Sequence, residues 1–435
     1  MILKGVQKIV VMLKKDDCII FSKHKIYYGW IIVLISFACM MFSYGARYIF
    51  SVFFKPMAED FGWSRTMTSG VFSLYMITYA FGSVITGRIV DKYGPKLLII
   101  GGSILLGGGI YACSFVSEIY QLYIFYGLLV GIGSAATGWV IATTTIARWF
   151  TDKRGLATGL TSTGSGLGNA IFIPLATIIV ASYGWRFSYQ LFGILIILIL
   201  LPAGFFAFKA PHLNIENNQN VESKKLRKFA ILEEKNSINS SEAMKKSTFW
   251  MLAATQFLMT FQLNVVMIHF IPYATDLGLS ATMASRYIAL LSLVSILGRV
   301  YGGWFADRIG RQKIVAFAML IQAFSFILLP FIKNYMFLFF FIGIYGISYG
   351  AWISQSAPFA ADIFGSRYFG SLWGIITLGI GVGGAFGPLL AGIVFDLTKS
   401  YLFIFAINLI ISLFSFLLIL FFVKPIDMPA SVEEH

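Results

Sequence analysis

Charge is scarce in this chain. Only 12% of its 435 residues are Asp, Glu, Lys or Arg, about half the share usual in a soluble domain. That scarcity excludes a fully water-solvated surface, although the length alone would allow two or three soluble domains. Cysteine is scarcer still. Cys18, Cys39 and Cys113 stand at no metal-ligand spacing and argue against a disulfide framework. No Gly-x-x-x-x-Gly-Lys-Ser/Thr sequence occurs, so ATP does not drive the protein directly. His, Cys, Asp and Glu fall into no metal pattern, and no nucleophile stands with a base. No cofactor, metal site or catalytic set is expected, and hence no enzyme. The apolar run Ile9-Val-Val-Met-Leu13 is too short for a signal-peptide core.

Apolar residues are what the chain has in excess. They make up 58% of it, and the mean hydropathy is +0.81. Twelve stretches reach the roughly 20 residues a bilayer span needs. They are 27–54, 65–90, 96–117, 121–148, 154–182, 186–208, 247–272, 281–306, 312–332, 335–361, 367–396 and 399–423. The polar stretch 209–246, with Asn217-Asn-Gln-Asn220 and Lys224-Lys-Leu-Arg-Lys228, divides them into six and six. The expected fold is an all-α membrane protein of twelve transmembrane helices in two six-helix repeats. Its expected parts are a tail at 1–26, a bundle at 27–208, a linker at 209–246, a bundle at 247–423 and a tail at 424–435.

The net charge of +14 would suit nucleic acid, but its distribution points to a lipid bilayer instead. With the N-terminus inside, 25 of the Lys and Arg residues fall in the inner pieces, six in the outer ones and two within spans. Basic residues gather on the cytoplasmic side of membrane proteins. Both termini and the linker are therefore expected in the cytoplasm.

The chain repeats itself. Gly87, Asp91, Lys92 and Gly94 return as Gly303, Asp307, Arg308 and Gly310, each 216 positions on. Pro56, Ala58, Asp60, Gly62 and Ser64 return at the same offset as Pro272, Ala274, Asp276, Gly278 and Ser280. Gly155, Gly159, Gly164, Gly166 and Gly168 return at 215 as Gly370, Gly374, Gly379, Gly381 and Gly383. Agreement across three regions marks a duplication. The run Gly164-Ser-Gly-Leu-Gly168 follows no strand, so close helix packing explains it better than a dinucleotide site.

Twelve spans in two repeats, with Gly-x-x-x-Asp-Lys/Arg-x-Gly after spans two and eight, resemble the major facilitator superfamily over residues 27 to 423. Within it the chain resembles the monocarboxylate transporter and oxalate/formate antiporter group. The supporting stretches are Arg47-Tyr-Ile-Phe-Ser-Val-Phe-Phe-Lys-Pro56, Gly62-Trp-Ser-Arg65, Arg148-Trp-Phe-Thr-Asp-Lys-Arg-Gly-Leu-Ala-Thr-Gly159 and Gly184-Trp-Arg186. The resemblance implies a carrier of a small carboxylate in which spans one, four, seven and ten line the cavity. It also implies that an arginine in span eight meets the carboxylate.

Arg299 stands at that place. It precedes Asp307 by eight residues, hence about 12 Å of helix, which puts it near the bilayer midplane. A charge there costs at least ~2.5 kcal/mol. The bland reading is snorkelling or a backbone carbonyl partner; the functional one is a guanidinium fork for an anionic substrate. Proton-coupled members of the resembled group often carry an acid four residues earlier, where this chain has Ser295. The oxalate exchanger has a lysine in span eleven, whereas 371–395 holds no Lys or Arg. One central cation points to a monocarboxylate rather than a dianion.

Arg47 and Tyr48 fall late in span one, toward the outside, as a substrate-attracting cation or as an interfacial snorkelling arginine. His269 closes span seven and is the proton-coupling candidate, with a neutral hydrogen-bonded histidine as the alternative. Tyr345 and Tyr349, spaced i, i+4, share a face of span ten and either hold the organic body of a substrate or pack helices. Trp139 in span four carries the same two readings. Gln256, Gln262 and Asn264 line a polar cavity or join helices. Asp91 and Asp307 are expected to latch one conformation by accepting from a neighbouring helix start or a loop arginine.

The function expected is a monomeric secondary carrier of a small organic monocarboxylate in the plasma membrane, coupled to protons or to a counter-anion. An exchanger of the oxalate/formate kind is the alternative. A non-transporting sensor, with 1–26 and 209–246 as signalling segments, is a different class.

Overall fold

The computed structural model describes residues 18–21, 24–150, 154–207, 240–331, 335–364 and 369–423. The C-terminal tail, most of the N-terminal tail and most of the linker lie outside these residues. A short antiparallel hairpin, β1 (Cys18–Phe21) and β2 (His24–Tyr27), pairs Cys18 with Tyr27 and leads into the first helix.

The first half contains α1 (Gly29–Tyr48), α2 (Phe50–Phe61), α3 (Arg65–Tyr93) and α4 (Pro95–Ala112). Its fourth crossing is built from α5 (Ile119–Leu122), a π-helical run Tyr123–Val130, α6 (Gly131–Thr137) and α7 (Trp139–Trp149). α8 (Arg154–Ala207) closes this half. The second half contains α9 (Ser240–Ala243), α10 (Ser247–Asp276), α11 (Ala281–Ile309), α12 (Arg311–Leu328), α13 (Tyr335–Phe364), α14 (Phe369–Thr398) and α15 (Leu402–Leu417).

Eleven described helices are long and apolar enough to cross a membrane, and the twelfth crossing is hidden inside one of them. Residues Ala157–Phe205 run 49 residues, which at 1.5 Å per residue is about 74 Å, far more than the ~30 Å hydrocarbon core. Gly184 breaks the run with φ 80° and ψ 166°, a conformation that side chains with a Cβ rarely adopt. Before it, Gly164 and Gly168 lie on α1, where an added Cβ would meet the Phe37 and Met41 carbonyls at 2.5 and 2.2 Å. After it, Gly193 lies on α4, where a Cβ would meet the Gly107 carbonyl at 2.7 Å. The two parts of α8 are therefore separate crossings. Large apolar side chains such as Leu34, Phe81, Leu198 and Ile410 point away from the bundle at 60 to 65% exposure, which only lipid makes tolerable.

The duplication reappears as contacts. A Cβ added to Gly168 would stand 2.2 Å from the Met41 carbonyl, and one on Gly383 2.2 Å from that of Phe257. A Cβ added to Gly166 would stand 3.2 Å from Ile296 and one on Gly381 2.2 Å from Ala80, each across to the other half. Ala80 and Ile296 are themselves one repeat apart, so the halves are exchanged by a pseudo-two-fold axis. Ser64 and Ser280 cap α3 and α11 in the same way, accepting from the Met67 and Met283 amides at 3.1 and 3.2 Å. The motif turns at 87–96 and 303–313 lie at one end of the bundle, here the basic end. The turns after α2 and α10 lie at the far end.

α1 and α2 form one 33-residue rod, because Ile49 between them keeps φ −59° and ψ −22°. The turn is loosened there, and its carbonyls find side-chain donors. Tyr126 donates to Ala46 and Arg47 at 3.0 and 2.7 Å, and Ser51 to Tyr48 at 2.7 Å. This loosened turn carries the first of the buried cations.

Candidate functional site

Gly298 and Gly350 let α11 and α13 touch backbone to backbone. A Cβ on them would meet the carbonyls of Ile347 and Ser295 at 2.2 and 2.0 Å. The contact sets Tyr349 at the level of Arg299. Arg299 is partly buried and reaches into the other half, where its Nη1 donates to the Ser162 carbonyl at 2.9 Å and to Ser165 Oγ at 3.3 Å. The backbone-carbonyl partner foreseen for Arg299 is thus present, but it occupies one nitrogen. Nε is buried without a partner, and no described carboxylate pairs with the guanidinium. Ser295 is buried and bonds the Ser292 carbonyl at 2.7 Å, so α11 supplies no acid here.

Of the two sequence readings of Arg47, the interfacial snorkelling one does not fit its burial. It is only 5% exposed. Its Nε donates to the Tyr75 hydroxyl at 2.9 Å. The guanidinium carbon lies 4.2 Å from the Tyr79 ring, 4.5 Å from Tyr44, 5.5 Å from Tyr75 and 5.9 Å from Tyr48. Burying a lone charge costs several kcal/mol, and each ring returns roughly 0.5–2 kcal/mol. Nη2 remains without a partner. The Tyr48 hydroxyl donates across the halves to Asn264 Oδ1 at 3.3 Å, a residue one repeat away. Arg299, through Ser162, and Arg47, beside the Tyr48–Asn264 bond, therefore both stand at the join of the halves, where the sequence reading counted a single central cation.

The remaining candidates divide. Tyr349 is buried beside Trp352, their ring centroids 6.3 Å apart. Tyr345 stacks on Phe341 at 5.4 Å and meets Phe326 edge-on at 5.7 Å, which is packing within its own half. Trp139 is partly buried and begins α7 directly after Gly138, where the backbone leaves the helix at φ −88°, ψ −153°. A Cβ on Gly138 would stand 3.4 Å from Tyr79, so the break adjoins the tyrosine cage. Non-helical backbone at this depth persists where it is buried in protein or lines a cavity. Gln262 joins α10 to its neighbours, taking the Ser412 hydroxyl at 2.6 Å, so it acts as helix glue. Sequence reasoning missed Tyr44, Tyr75, Tyr79 and the Gly138 break. Two i, i+4 tyrosine pairs, Tyr44/Tyr48 and Tyr75/Tyr79, were the available signal.

His269 belongs to another cluster, at the far end. It is fully buried, with Nδ1 3.0 Å from the Tyr401 hydroxyl and Nε2 2.9 Å from the Pro388 carbonyl. Close by, Arg65 and Lys55 of the first half pair with Asp276 of the second at 2.7 and 3.1 Å. Among the described residues, these are the ion pairs that join the halves.

At the basic end, Gly94 and Gly310 close α3 and α11 with φ 78° and 93°. Gly87 and Gly303 leave room beside Val140 and Gln355, where a Cβ would stand at 3.5 and 3.6 Å. Lys92 and Arg308 lie over the rings of Tyr93 and Trp304 at 5.2 and 3.6 Å. The side chains of Asp91 and Asp307 lie outside the described residues.

The comparisons with known proteins agree with this architecture. The family model of the Major Facilitator Superfamily matches residues 36–354 and 252–435. The oxalate:formate antiporter of Oxalobacter formigenes is 29% identical over 376 residues, covering 83% of this chain and 85% of that protein. Monocarboxylate transporter 2 of Homo sapiens is 25% identical over 391 residues, covering 87% and 82%. Among solved structures, a D-xylose-proton symporter superposes with a TM-score of 0.75 at 14% identity, over 92% of this chain and 98% of that one. A bacterial homolog of the human lysosomal transporter Spinster, inward-facing and unoccupied, gives 0.66 at 15% identity, over 90% and 95%. The chain is a multi-pass membrane transporter and not an enzyme, and it belongs to the Major Facilitator Superfamily, where it is similar to the monocarboxylate and oxalate:formate carriers.

Proposed function

We propose that this protein moves a small organic monocarboxylate across the plasma membrane by alternating access, with a proton as the coupling ion. Arg299 is the substrate anchor, and Arg47, Tyr48, Tyr349 and Trp139 border the same region. Tyr345 supports it from behind. The observation that carries the reading is the Arg299 guanidinium at mid-depth, with no described carboxylate partner and a buried free Nε. A cation so placed has an unmet preference for an anion, and a carboxylate meets it with two parallel hydrogen bonds. The similarity to monocarboxylate transporters supports the same class.

In this reading the basic end faces the cytoplasm, with both termini and the linker on that side. The chain works as a monomer, its two bundles rocking about the axis beside Tyr48 and Asn264. Asp91 and Asp307, with their flanking glycines and basic residues, latch the basic end. The far-end ion pairs then hold the protein closed to the outside.

One observation favours a second reading. Arg47 is a second buried cation facing the same region, and two cations suit a dianion or a two-anion exchange better than one does. Uptake by purified protein in liposomes separates the readings. Monocarboxylate accumulation driven by a pH gradient supports the first. Flux of dicarboxylates that needs an internal anion and no pH gradient supports the second. Absence of flux with either panel leaves the sensor.

A further inference from the structure

The start of α3 is held from the other half. Arg65 and Thr66 are its first residues, and their amides, free at a helix N-terminus, donate to the Asp396 carboxylate at 3.2 and 2.8 Å. Thr66 Oγ1 adds a third bond to it at 2.6 Å. Asp396 lies near the end of α14, so an acid of one bundle caps a helix of the other. The duplication does not require this. α11 starts with the same serine cap, but the residues one repeat before Asp396 are Val180 and Ala181. The far end therefore carries an asymmetric tie added to the duplicated frame.

The side chain of Arg65 extends the tie inward. Its Nη2 pairs with Asp276 at 2.7 Å, its Nη1 donates to the Tyr401 hydroxyl at 2.5 Å, and its guanidinium carbon lies 3.7 Å from the Phe395 ring centroid. Tyr401 accepts from Arg65, so its own hydrogen is free to go to His269 Nδ1 at 3.0 Å. His269 Nε2 then donates to the Pro388 carbonyl at 2.9 Å, with Ser69 Oγ at 3.3 Å. Every donor in this chain is matched to an acceptor only if His269 is neutral with its proton on Nε2.

The groups around the ring are Arg65 and Ser69 from α3, Phe54 edge-on at 5.2 Å from α2, Pro388 and Asp396 from α14, and Tyr401 before α15. A second proton on His269 would remove the acceptor of Tyr401 and set a cation beside Arg65. Asp396 is the facing charge that would offset it, and its oxygens already take the α3 amides. A cavity of about 410 Å³, lined by Lys55, Glu59, Trp63, Arg65, Asp396 and Lys399 among others, lies directly against this cluster.

We propose that Asp396, Arg65, Tyr401 and His269 form a proton-sensitive latch of the far end, which stays shut while His269 is neutral and is released when it takes a proton. The proposal rests on the alternating-access reading, and it gives the proton-coupling candidate His269 a place at the gate. Linkage sets the direction. The closed state has no place for the extra proton, whereas the open state hydrates the ring, so acid favours opening. For an imidazole that titrates near ~6.5 only when open, opening rises about tenfold from pH ~7.5 to ~5.5.

The test reads opening without substrate. Ser73, one turn deeper on α3, is buried and bonds the Ala385 carbonyl across the halves at 2.6 Å. In a Ser73→Cys protein, an impermeant thiol reagent is applied from the far side. Labelling should rise about tenfold over that pH range. The rise should vanish in Ser73→Cys with His269→Gln, because the amide can accept from Tyr401 and donate to Pro388 at every pH. Ser73→Cys with Asp396→Asn should label fast at both pH values. Labelling that ignores pH in the Ser73→Cys protein, or a rise that survives His269→Gln, overturns the proposal. Liposome flux judges the carrier reading separately, so a pH-dependent latch without flux would sink that reading alone.

Discussion

Arg299→Ala should weaken substrate binding by ten- to a hundredfold. Arg299 already spends Nη1 on Ser162 and Ser165, so a carboxylate would meet the unpartnered Nε side of the fork. A hydrogen bond to a charged group is worth about 1.5–3 kcal/mol, and each ~1.4 kcal/mol is tenfold in affinity. Lysine keeps the charge but cannot hold the Ser162 carbonyl and offer a second parallel donor together. Arg299→Lys should therefore fall between wild type and alanine. The assay is equilibrium binding in detergent, with a melting curve for each variant. Stability should change little, because the lost contacts are one carbonyl and one hydroxyl. Arg47→Gln in the same assay discriminates the substrate class. A small loss is expected for a monocarboxylate held by Arg299 alone, and a loss as large as that of Arg299→Ala for an anion held by both. Unchanged affinity in Arg299→Ala would remove the substrate anchor and leave only the fold and family.

Further outcomes follow from other parts of the molecule. Asp91→Asn and Asp307→Asn should slow liposome transport more than they weaken binding; binding lost with turnover intact would refute their role as latches. A cysteine at the exposed far-end Ser117 should react with an impermeant reagent outside intact cells, and one at Asn218 only after permeabilisation. The reverse pattern would invert the proposed orientation. Gly168→Ala and Gly383→Ala each force a Cβ to within 2.2 Å of a carbonyl oxygen and should cost about 1–3 kcal/mol, seen as a lower melting temperature. Gly159→Ala, which meets nothing within 4 Å, should leave the melting temperature unchanged or higher.

The sequence by itself determined the number of crossings, their division into six and six, the duplicated motifs and the candidacy of Arg299. Each is a one-dimensional property. Span length follows from hydrocarbon thickness, a repeat is an offset, and a charge inside an apolar run is visible without coordinates. Even the fused helix at Ala157–Phe205 was legible as two spans, because Gly184 and its polar neighbours interrupt the apolar run. The tertiary structure alone decided where the polar groups meet. The place of Arg47 late in span one left an interfacial and a substrate-attracting reading open, and only the fold shows that tyrosines of α1 and α3 close over it. The end-of-span place of His269 left open a proton-coupling group or a neutral hydrogen-bonded histidine, and only the fold shows that Tyr401, 132 residues away, and Arg65 draw it into the far-end cluster. Asp396, overlooked as an end-of-span acid, acts on a helix start 330 residues earlier. Hydropathy places a residue at a depth in the membrane but gives no angle around the helix and no neighbour. Those come only from the packing of helices, which here is set by glycines that let backbones touch.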